Sequence, residues 1–560
     1  MKIFSKNKFI IFIIFLFAFL LRLYALNWDT NNHLHPDERF LTMLVTDISL
    51  PTSISQYFNT STSPLNPYNY PSYQFFVYGT FPIFLIKTLA VLFHFDNYDQ
   101  ITLLGRVVSA FFDASNIVLL YFIAKKFLKS FYKFIPSIFY SLLVLPIQLS
   151  HFFAVDTFLN FFLLLTFTLL SYNFFALAFL IFGLALACKI SALYFVPVIF
   201  LFILKKFLSS KNKLSLLLLT VYYSLLTILA FRVFQPYSFV NNIDINPQFI
   251  GSLKSLASYS NPDVYYPPGV QWINRLTLLN SFKNTGIWGL GLFFSLPFII
   301  LLFKLFTKVK IKFNLLFLIS VWAIFLFVFQ SLQFVHAMRY QFIIYPFLCL
   351  ILSALLFNFK IDKKIIIVLL ILNSFYTFAF LSIYSLPNSR VQASEWIKEN
   401  ISTDKVISNE YWDDALPLGF SPYQSETLAF FDPETSEKWE KINQSLEKID
   451  FMIMSSNRLW ASIPRVPEKY PQASKFYADL FSGNSNFSLV KKITSYPGFP
   501  IAFLKSCFYF GPSNYPGVKN TWFERDDTCS YPGLYFRDDS AEEAFTVYDH
   551  PQVLIFSKHK

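Results

Sequence analysis

Apolar residues run through the first two thirds of this chain in blocks of about fifteen to twenty-three, separated by short polar stretches. Wound as helices, blocks near the upper end of that range match the hydrocarbon thickness of a bilayer. They fall at about 9–26, 102–124, 134–150, 157–172, 174–189, 190–204, 214–231, 284–303, 313–331, 340–358 and 365–385. The pattern predicts about eleven membrane-crossing helices. One more run, 75–95, is apolar enough to cross but holds Gly79, Pro82, Lys87 and His94. Its crossing would also invert every later loop, so it is predicted to lie on the outer membrane surface as an amphipathic helix.

From about residue 388 the pattern changes. The remainder is rich in Asp, Glu, Ser, Pro and Tyr and has no spanning run. Positions 393–400 have a helical pattern, and 405–408, 451–455, 487–493 and 552–557 read as strands. The expected fold is thus a polytopic all-α membrane region over residues 1–387, with a first outer loop at 27–101, followed by an extracytoplasmic soluble α/β domain at 388–560.

Composition agrees with that division. Of the 560 residues 55% are hydrophobic and only 14% charged, with a mean hydropathy of +0.46. The 73 Phe supply much of the lipid-facing mass. The net charge of +12 invites a nucleic-acid reading, but the basic residues never share a soluble face. They sit between apolar runs: Lys2, Lys6 and Lys8; Lys125, Lys126, Lys129 and Lys133; Lys205, Lys206, Lys211 and Lys213; Lys304, Lys308, Lys310 and Lys312; Lys360, Lys363 and Lys364. This is the positive-inside pattern of cytoplasmic loops, and it places the N-terminus inside and the C-terminal domain outside. The first run has the basic start of a signal peptide but no small-x-small cleavage site, so an uncleaved span is expected. Arg22, near its outer end, is expected to snorkel to the interface.

With this topology the reactive side chains fall at one membrane face. Asp37 and Glu38 follow His35-Pro36 in the first outer loop. His151 and Asp156 lie at the next outer turn, and Lys189 at the one after. Arg106 ends a span there; Arg275 and Arg339 lie on later outer segments. A carboxylate can take a proton from a hydroxyl nucleophile, and Arg or Lys can hold a phosphate leaving group. The combination suggests transfer of a group from a lipid-linked phosphate to an acceptor outside the cytoplasm. An alternative reading makes Asp37 the cap of a surface helix and Asp156 that of the next span, and Asp413-Asp414 reads as a solvated turn. His33 and His35 with Asp37 form a conceivable divalent-metal set, but no zinc motif is present and no cofactor is required. Cys188 and Cys349 lie in spans. Cys507 and Cys529 share the outer domain, where an oxidising compartment allows a disulfide.

Several segments, in order, resemble the GT-C glycosyltransferases that use polyprenyl-phosphate sugars, in the ArnT-like, protein O-mannosyltransferase and RgtA/B/C/D-like group. They are Pro36-Asp37-Glu38-Arg39-Phe40, Tyr78-Gly79-Thr80-Phe81-Pro82, Gly105-Arg106-Val107-Val108-Ser109-Ala110, Ser150-His151 through Asp156, Gly183 through Lys189-Ile190-Ser191, and Met338-Arg339-Tyr340. The resemblance covers roughly 10–385 and implies an inverting transferase of the cytoplasmic membrane. It implies Asp37 as catalytic base, Asp156 and Glu38 as supporting catalytic carboxylates, and Lys189 as the carrier-phosphate contact. Arg339, Arg275, Arg106 and His151 are further substrate-binding candidates. The implied partners are a polyprenyl-phosphate sugar donor and a hydroxyl acceptor on a glycan, glycolipid or protein. The chain lacks the β-trefoil insert of the protein O-mannosyltransferases. Two other readings remain: a lipid-linked sugar flippase, whose ionisable groups would sit nearer mid-membrane, and a non-catalytic receptor built around 388–560.

Overall fold

The computed structural model describes residues 6–241, 243–308, 315–419 and 422–559. Lys2, Lys310 and Lys312 of the basic clusters, and the start of the run at 313–331, lie outside the described residues. Each predicted apolar run carries helix. Tyr98–Ala124, Ile190–Ser209, Lys213–Phe234, Met338–Asn358 and Lys363–Asn400 are long and apolar enough to cross a membrane. Ser130–Ser141 and Val144–Ser150, bent by 54°, make a sixth if taken as one span. Val155–Ser171, Phe175–Cys188, Leu292–Lys304 and Leu316–Ser331 are shorter apolar helices, as is Thr80–Phe93 in the first loop.

Two kinds of helix emerge. Lys213–Phe234 buries only Leu216 and Ala230 and leaves Leu217, Leu218, Val221, Leu225 and Ile228 exposed. Tyr345–Asn358 is buried along most of its length. Apolar outer surface on this scale is what lipid covers, and the chain is a membrane protein of mainly helical build.

Two buried polar features inside the helical region find partners far along the chain. The bend before Val144–Ser150 has a local cause in Pro146, which has no N–H to return to the carbonyl of Leu142. That carbonyl accepts from Thr377 Oγ1 at 2.6 Å and Asn373 Nδ2 at 3.2 Å, both on helix Lys363–Ser385. Arg22 does not snorkel. It is fully buried, with Nε 2.6 Å from Asp113, whose other oxygen accepts from Tyr140 at 2.6 Å. The nearby carboxylate supplies the counter-charge without which a buried guanidinium is strongly unfavourable.

The C-terminal part is an α/β unit. Its strands are β1 (Val406–Glu410), β2 (Gln424–Leu428), β3 (Phe451–Met454), β4 (Phe487–Ile493), β5 (Gly498–Pro500), β6 (Cys507–Phe510), β7 (Phe523–Asp526), β8 (Gly533–Phe536) and β9 (Val553–Lys558). One sheet has the order β2-β1-β3-β9-β4, with β1 parallel to β2 and β3, and β9 antiparallel to β3 and β4. The alternation of side chains explains its layers. Ile453 and Ile555 pack with Ala393 and Ile397 of helix Ser389–Asn400. Met452, Met454, Leu554 and Phe556 pack on the other face with Ile442 of Ser436–Lys448 and Tyr477 of Pro471–Ser482. The second sheet is β5-β8-β6-β7, and a disulfide joins Cys507 of β6 to Cys529. Asp413 is not a solvated turn. Its side chain is fully buried beside Arg390 and Arg458, and it accepts from Ser455 at 3.0 Å and Ser456 at 2.6 Å.

A buried polar joint ties this unit to the helices. Asp549 accepts from Gln148 at 3.0 Å and Tyr384 at 2.8 Å, and its backbone carbonyl accepts from Asn388. The next residue, His550, lies between Asp549 and Asp538. Burial works to lower the pKa of its ring, but Asp549 and Asp538 outweigh this and push it up to about 10. A group whose pKa rises on folding contributes fully below its unfolded value, about 6.5, and loses that contribution as pH climbs through the folded value. His550→Phe is therefore expected to cost about 3–5 kcal/mol near pH 6. Thermal unfolding in detergent should show the gap between variant and wild type narrowing towards pH 10.

Candidate active site

Helix Pro36–Asp47 begins with proline at its first position, and its cap is His35. The His35 Nδ1 accepts from the Glu38 backbone N–H at 3.3 Å, so Asp37 is not a cap and its carboxylate is left for other work. The His35 ring lies between Phe152 and Tyr548, at 4.3 and 4.5 Å. Burial lowers its pKa, which favours the neutral ring that can accept this bond.

Asp37 and Glu38 are neighbours in sequence with opposite surroundings. Glu38 is fully buried. It accepts from Arg106 Nε at 2.8 Å and Nη2 at 2.7 Å, and from the Phe153 N–H at 2.8 Å. The same guanidinium reaches Asp29 at 3.1 and 2.9 Å and the Leu26 carbonyl at 2.8 Å. All five donors of Arg106 are thus engaged within the protein, and Glu38 is enclosed by Arg106 and the Phe153 N–H. Gly105 permits this packing: a Cβ there would sit 2.4 Å from the Phe153 ring.

Asp37 instead faces an opening. Its Oδ2 accepts from Arg339 at 2.6 Å, with the two side chains 29% and 27% exposed. Burial opposes its ionisation, but Arg339, with help from Lys189, holds the carboxyl well below the usual range. Beside this pair is a second, Lys189 to Asp156, at 2.8 Å. Asp156 lies in the first turn of Val155–Ser171, whose cap position is Ala154, so Asp156 does not cap the helix. Lys189 closes Phe175–Cys188, a favourable place for a cation. Both cations lie 5.9 Å from the centre of the Tyr340 ring. Gly79 fits the first loop against this corner: its N–H donates to the Cys188 carbonyl at 2.9 Å, and a Cβ would meet the Ala187 carbonyl at 2.0 Å.

Two acids and two bases, drawn from four separate segments, thus form one polar patch. Lys126, by contrast, donates to the carbonyl of Ser171, at the far end of the helix that begins beside Asp156. The patch and this lysine are therefore about 24 Å apart along one helix. The remaining candidates lie elsewhere. His151 is buried, stacks on Tyr384 at 4.0 Å, and engages the carbonyls of Ile147 and Tyr24 with its two ring nitrogens. It lies apart from the Asp37–Arg339 and Asp156–Lys189 pairs in its hydrogen bonding. Arg275 lines a cavity that neither Asp37 nor Arg339 lines. His33 bonds Asp99, away from His35, and no metal-binding group of three His, Cys, Asp or Glu occurs among the described residues.

The sequence reading missed Asp29, Tyr78 and Glu542. Asp29 precedes Asp37 in the same loop, a detectable signal. Tyr78 opens one of the matched segments; burial and then the Asp37 charge raise its phenol well above its ordinary pKa. Glu542 had no signal. It accepts from the Met338 N–H at 3.0 and 2.8 Å across 204 positions, which fixes the residue beside Arg339.

Arg106→Lys keeps the charge but replaces a fixed five-donor fork with three mobile donors. The expected loss is about 2–4 kcal/mol, read by unfolding in detergent. Wild-type stability in the lysine variant would show that the fork geometry contributes nothing.

No family model and no curated protein matches the chain. Among solved structures it is similar to the Archaeoglobus fulgidus oligosaccharyltransferase in its apo form, at 12% identity and TM-score 0.44, over 84% of this chain and 73% of that one. It is similar to ArnT from Cupriavidus metallidurans bound to undecaprenyl phosphate, at 12% and 0.43, over 82% and 95%. It is also similar to the archaeal oligosaccharyltransferase AglB from Archaeoglobus fulgidus in complex with an inhibitory peptide and a dolichol-phosphate, at 11% and 0.42, over 84% and 72%. At these identities and TM-scores the likenesses carry no residue role and no activity across.

Proposed function

We propose that this protein is an integral-membrane glycosyltransferase that moves a sugar from a polyprenyl-phosphate donor to a hydroxyl on a glycan, glycolipid or protein outside the cytoplasm. The observation that carries the reading is the adjacency of the Asp37–Arg339 and Asp156–Lys189 pairs at a partly open edge of the helical region. Such a patch suits a ligand with an anionic head and an apolar tail: the cations take the phosphate, and exposed apolar helices border the lipid.

The chemistry follows from the charges. With no ligand each cation rests on a carboxylate, and Arg339 makes Asp37 a poor base. An incoming donor phosphate competes for Arg339 and Lys189. As Arg339 turns to the phosphate, Asp37 loses its counter-charge and its basicity rises. Asp37 then takes the proton of the acceptor hydroxyl while that oxygen attacks the anomeric carbon from the side opposite the phosphate. The carbon–oxygen bond to phosphate breaks, and the leaving lipid phosphate keeps the bond pair and one further negative charge. Lys189 and Arg339 stabilise that charge, and Asp156 keeps Lys189 in place. The configuration at the anomeric carbon inverts.

Asp37→Asn is expected to lower donor-dependent sugar transfer by about 10²–10⁴-fold, the range for loss of a general base, with unfolding unchanged. Lys189→Ala is expected to raise the donor KM more than the acceptor KM. The measurement is release of lipid phosphate from labelled polyprenyl-phosphate sugars by purified protein. Undiminished turnover in Asp37→Asn would sink the mechanism. Lipid movement in liposomes without any transfer would replace it with a flippase.

A further inference from the structure

A second cationic site stands apart from the Asp37 patch. Arg275, Lys283 and Arg465 line a cavity of about 430 Å³ between the segment 271–283 and the outer domain. That volume is in the about 300–1,000 Å³ range of small-molecule sites. None of the three cations forms an ion pair among the described residues. Lys283 donates to the carbonyl of Ser540 at 2.5 Å, Arg465 to the carbonyls of Gln271 and Ile273 at 3.1 and 3.0 Å, and Arg275 to the carbonyl of Gln271 at 3.4 Å. Neutral carbonyls orient these groups but leave three positive charges uncompensated in one cavity.

The carboxylates on the same wall are committed elsewhere. Glu542 accepts from the Met338 N–H, Glu543 pairs with Arg458, and Asp539 accepts from Tyr496 at 2.9 and 2.8 Å. Burial pushes Glu542 up to about 8 and Asp539 up to about 7, so their negative charge is reduced at neutral pH. Lys283 shows the opposite stress. Burial, then Arg275 and Arg465, bring its amine down to about 8. Bringing like charges together in a partly desolvated space is unfavourable unless an anion joins them. The rest of the lining matches a sugar. Trp272, Trp460 and Tyr515 offer ring faces, and the amides of Asn280, Asn457 and Asn514 can donate to and accept from hydroxyls.

We infer that this cavity binds an anionic saccharide, a sugar bearing a carboxylate or phosphate, with Arg275, Lys283 and Arg465 holding the acidic group. That this saccharide is part of the acceptor rests on the glycosyltransferase reading above; its binding does not. The site would then select acceptors by charge, separately from the carrier phosphate at Lys189 and Arg339.

The test is calorimetric titration of the full-length protein in detergent with glucuronate, glucose 6-phosphate, glucose and inorganic phosphate. Glucuronate and glucose 6-phosphate are expected to bind at least tenfold more tightly than glucose or inorganic phosphate. The double variant Lys283→Gln/Arg465→Gln should lose that binding, while Asp37→Asn should keep it even though transfer is gone. Should the double variant misfold, Lys283 in the wild type can be probed with an amine-acylating reagent. Glucose 6-phosphate should protect it at least fivefold, and glucose should not. Equal binding of inorganic phosphate and glucose 6-phosphate would overturn saccharide recognition. No protection of Lys283, or anionic sugar binding that persists in a folded double variant, would overturn the site.

Discussion

The guanidinium of Arg106, closed between Asp29 and Glu38, is the constraint on which the rest of the site depends. Its helix, Tyr98–Ala124, packs against Lys6–Leu23 and Val155–Ser171, so this one side chain joins the first loop to the helical core. Glu38 cannot move without breaking three hydrogen bonds to Arg106 and Phe153, and Asp37 is the next residue along. An ion cluster like this contributes less to net stability than its geometry suggests, because all three ions lose their water. What it contributes here is direction. With Glu38 held inward and His35 capping the helix, Asp37 is left on the open side.

The C-terminal unit encloses the patch. Asp414 meets Arg39 at 3.0 Å, Tyr548 packs on His35, and Glu542 holds the backbone of Met338. These contacts surround Asp37 and Arg339, which lie 302 positions apart in the chain. The buried Asp549–His550–Asp538 group joins the same unit to Gln148 and Tyr384 of the helical region. The C-terminal residues are therefore structural partners of the patch and wall the second cavity. A receptor module merely tethered to a membrane domain would not need so many buried polar contacts with it.

Hydrophobic periodicity carried most of the helical architecture, because length and apolarity are local properties. The strands at 451–455 and 487–493 were legible from local apolar composition, whereas β5 to β8 lie among turn-forming Gly, Pro and Asp and were not read. The convergence of Asp37, Asp156, Lys189 and Arg339 on one face followed from topology. Which of them pair did not, since pairing is set by contacts far apart in sequence. Arg22 and Asp413 were misread in the same direction, each taken as more solvated than it is. Sequence shows a charge but not its partner, and a partner such as Asp113 or Asp29 turns an exposed group into a buried one. Arg275 is separated from that patch for a similar reason: it lines another cavity, with Lys283 and Arg465.

The two kinds of ion pair in this molecule suit different tasks because of their surroundings. The Asp37–Arg339 side chains are 29% and 27% exposed and those of Asp156–Lys189 10% and 19%, so water reaches both pairs and neither is sealed like the Arg106 cluster. A phosphate arriving at such a cation exchanges one anion for another, so the cation keeps a counter-charge when a ligand opens the pair. Removing a partner from a buried pair, as at Arg106 or Arg22, costs about 3–5 kcal/mol. The patch thus combines a rigid frame with loosely held charges. Were Asp37 buried like Glu38, it would be aimed but never released; were Glu38 exposed like Asp37, the helix carrying both would lose its fixed direction. The step from one environment to the other takes a single residue along the first turn of Pro36–Asp47, where successive side chains point about 100° apart around the helix axis.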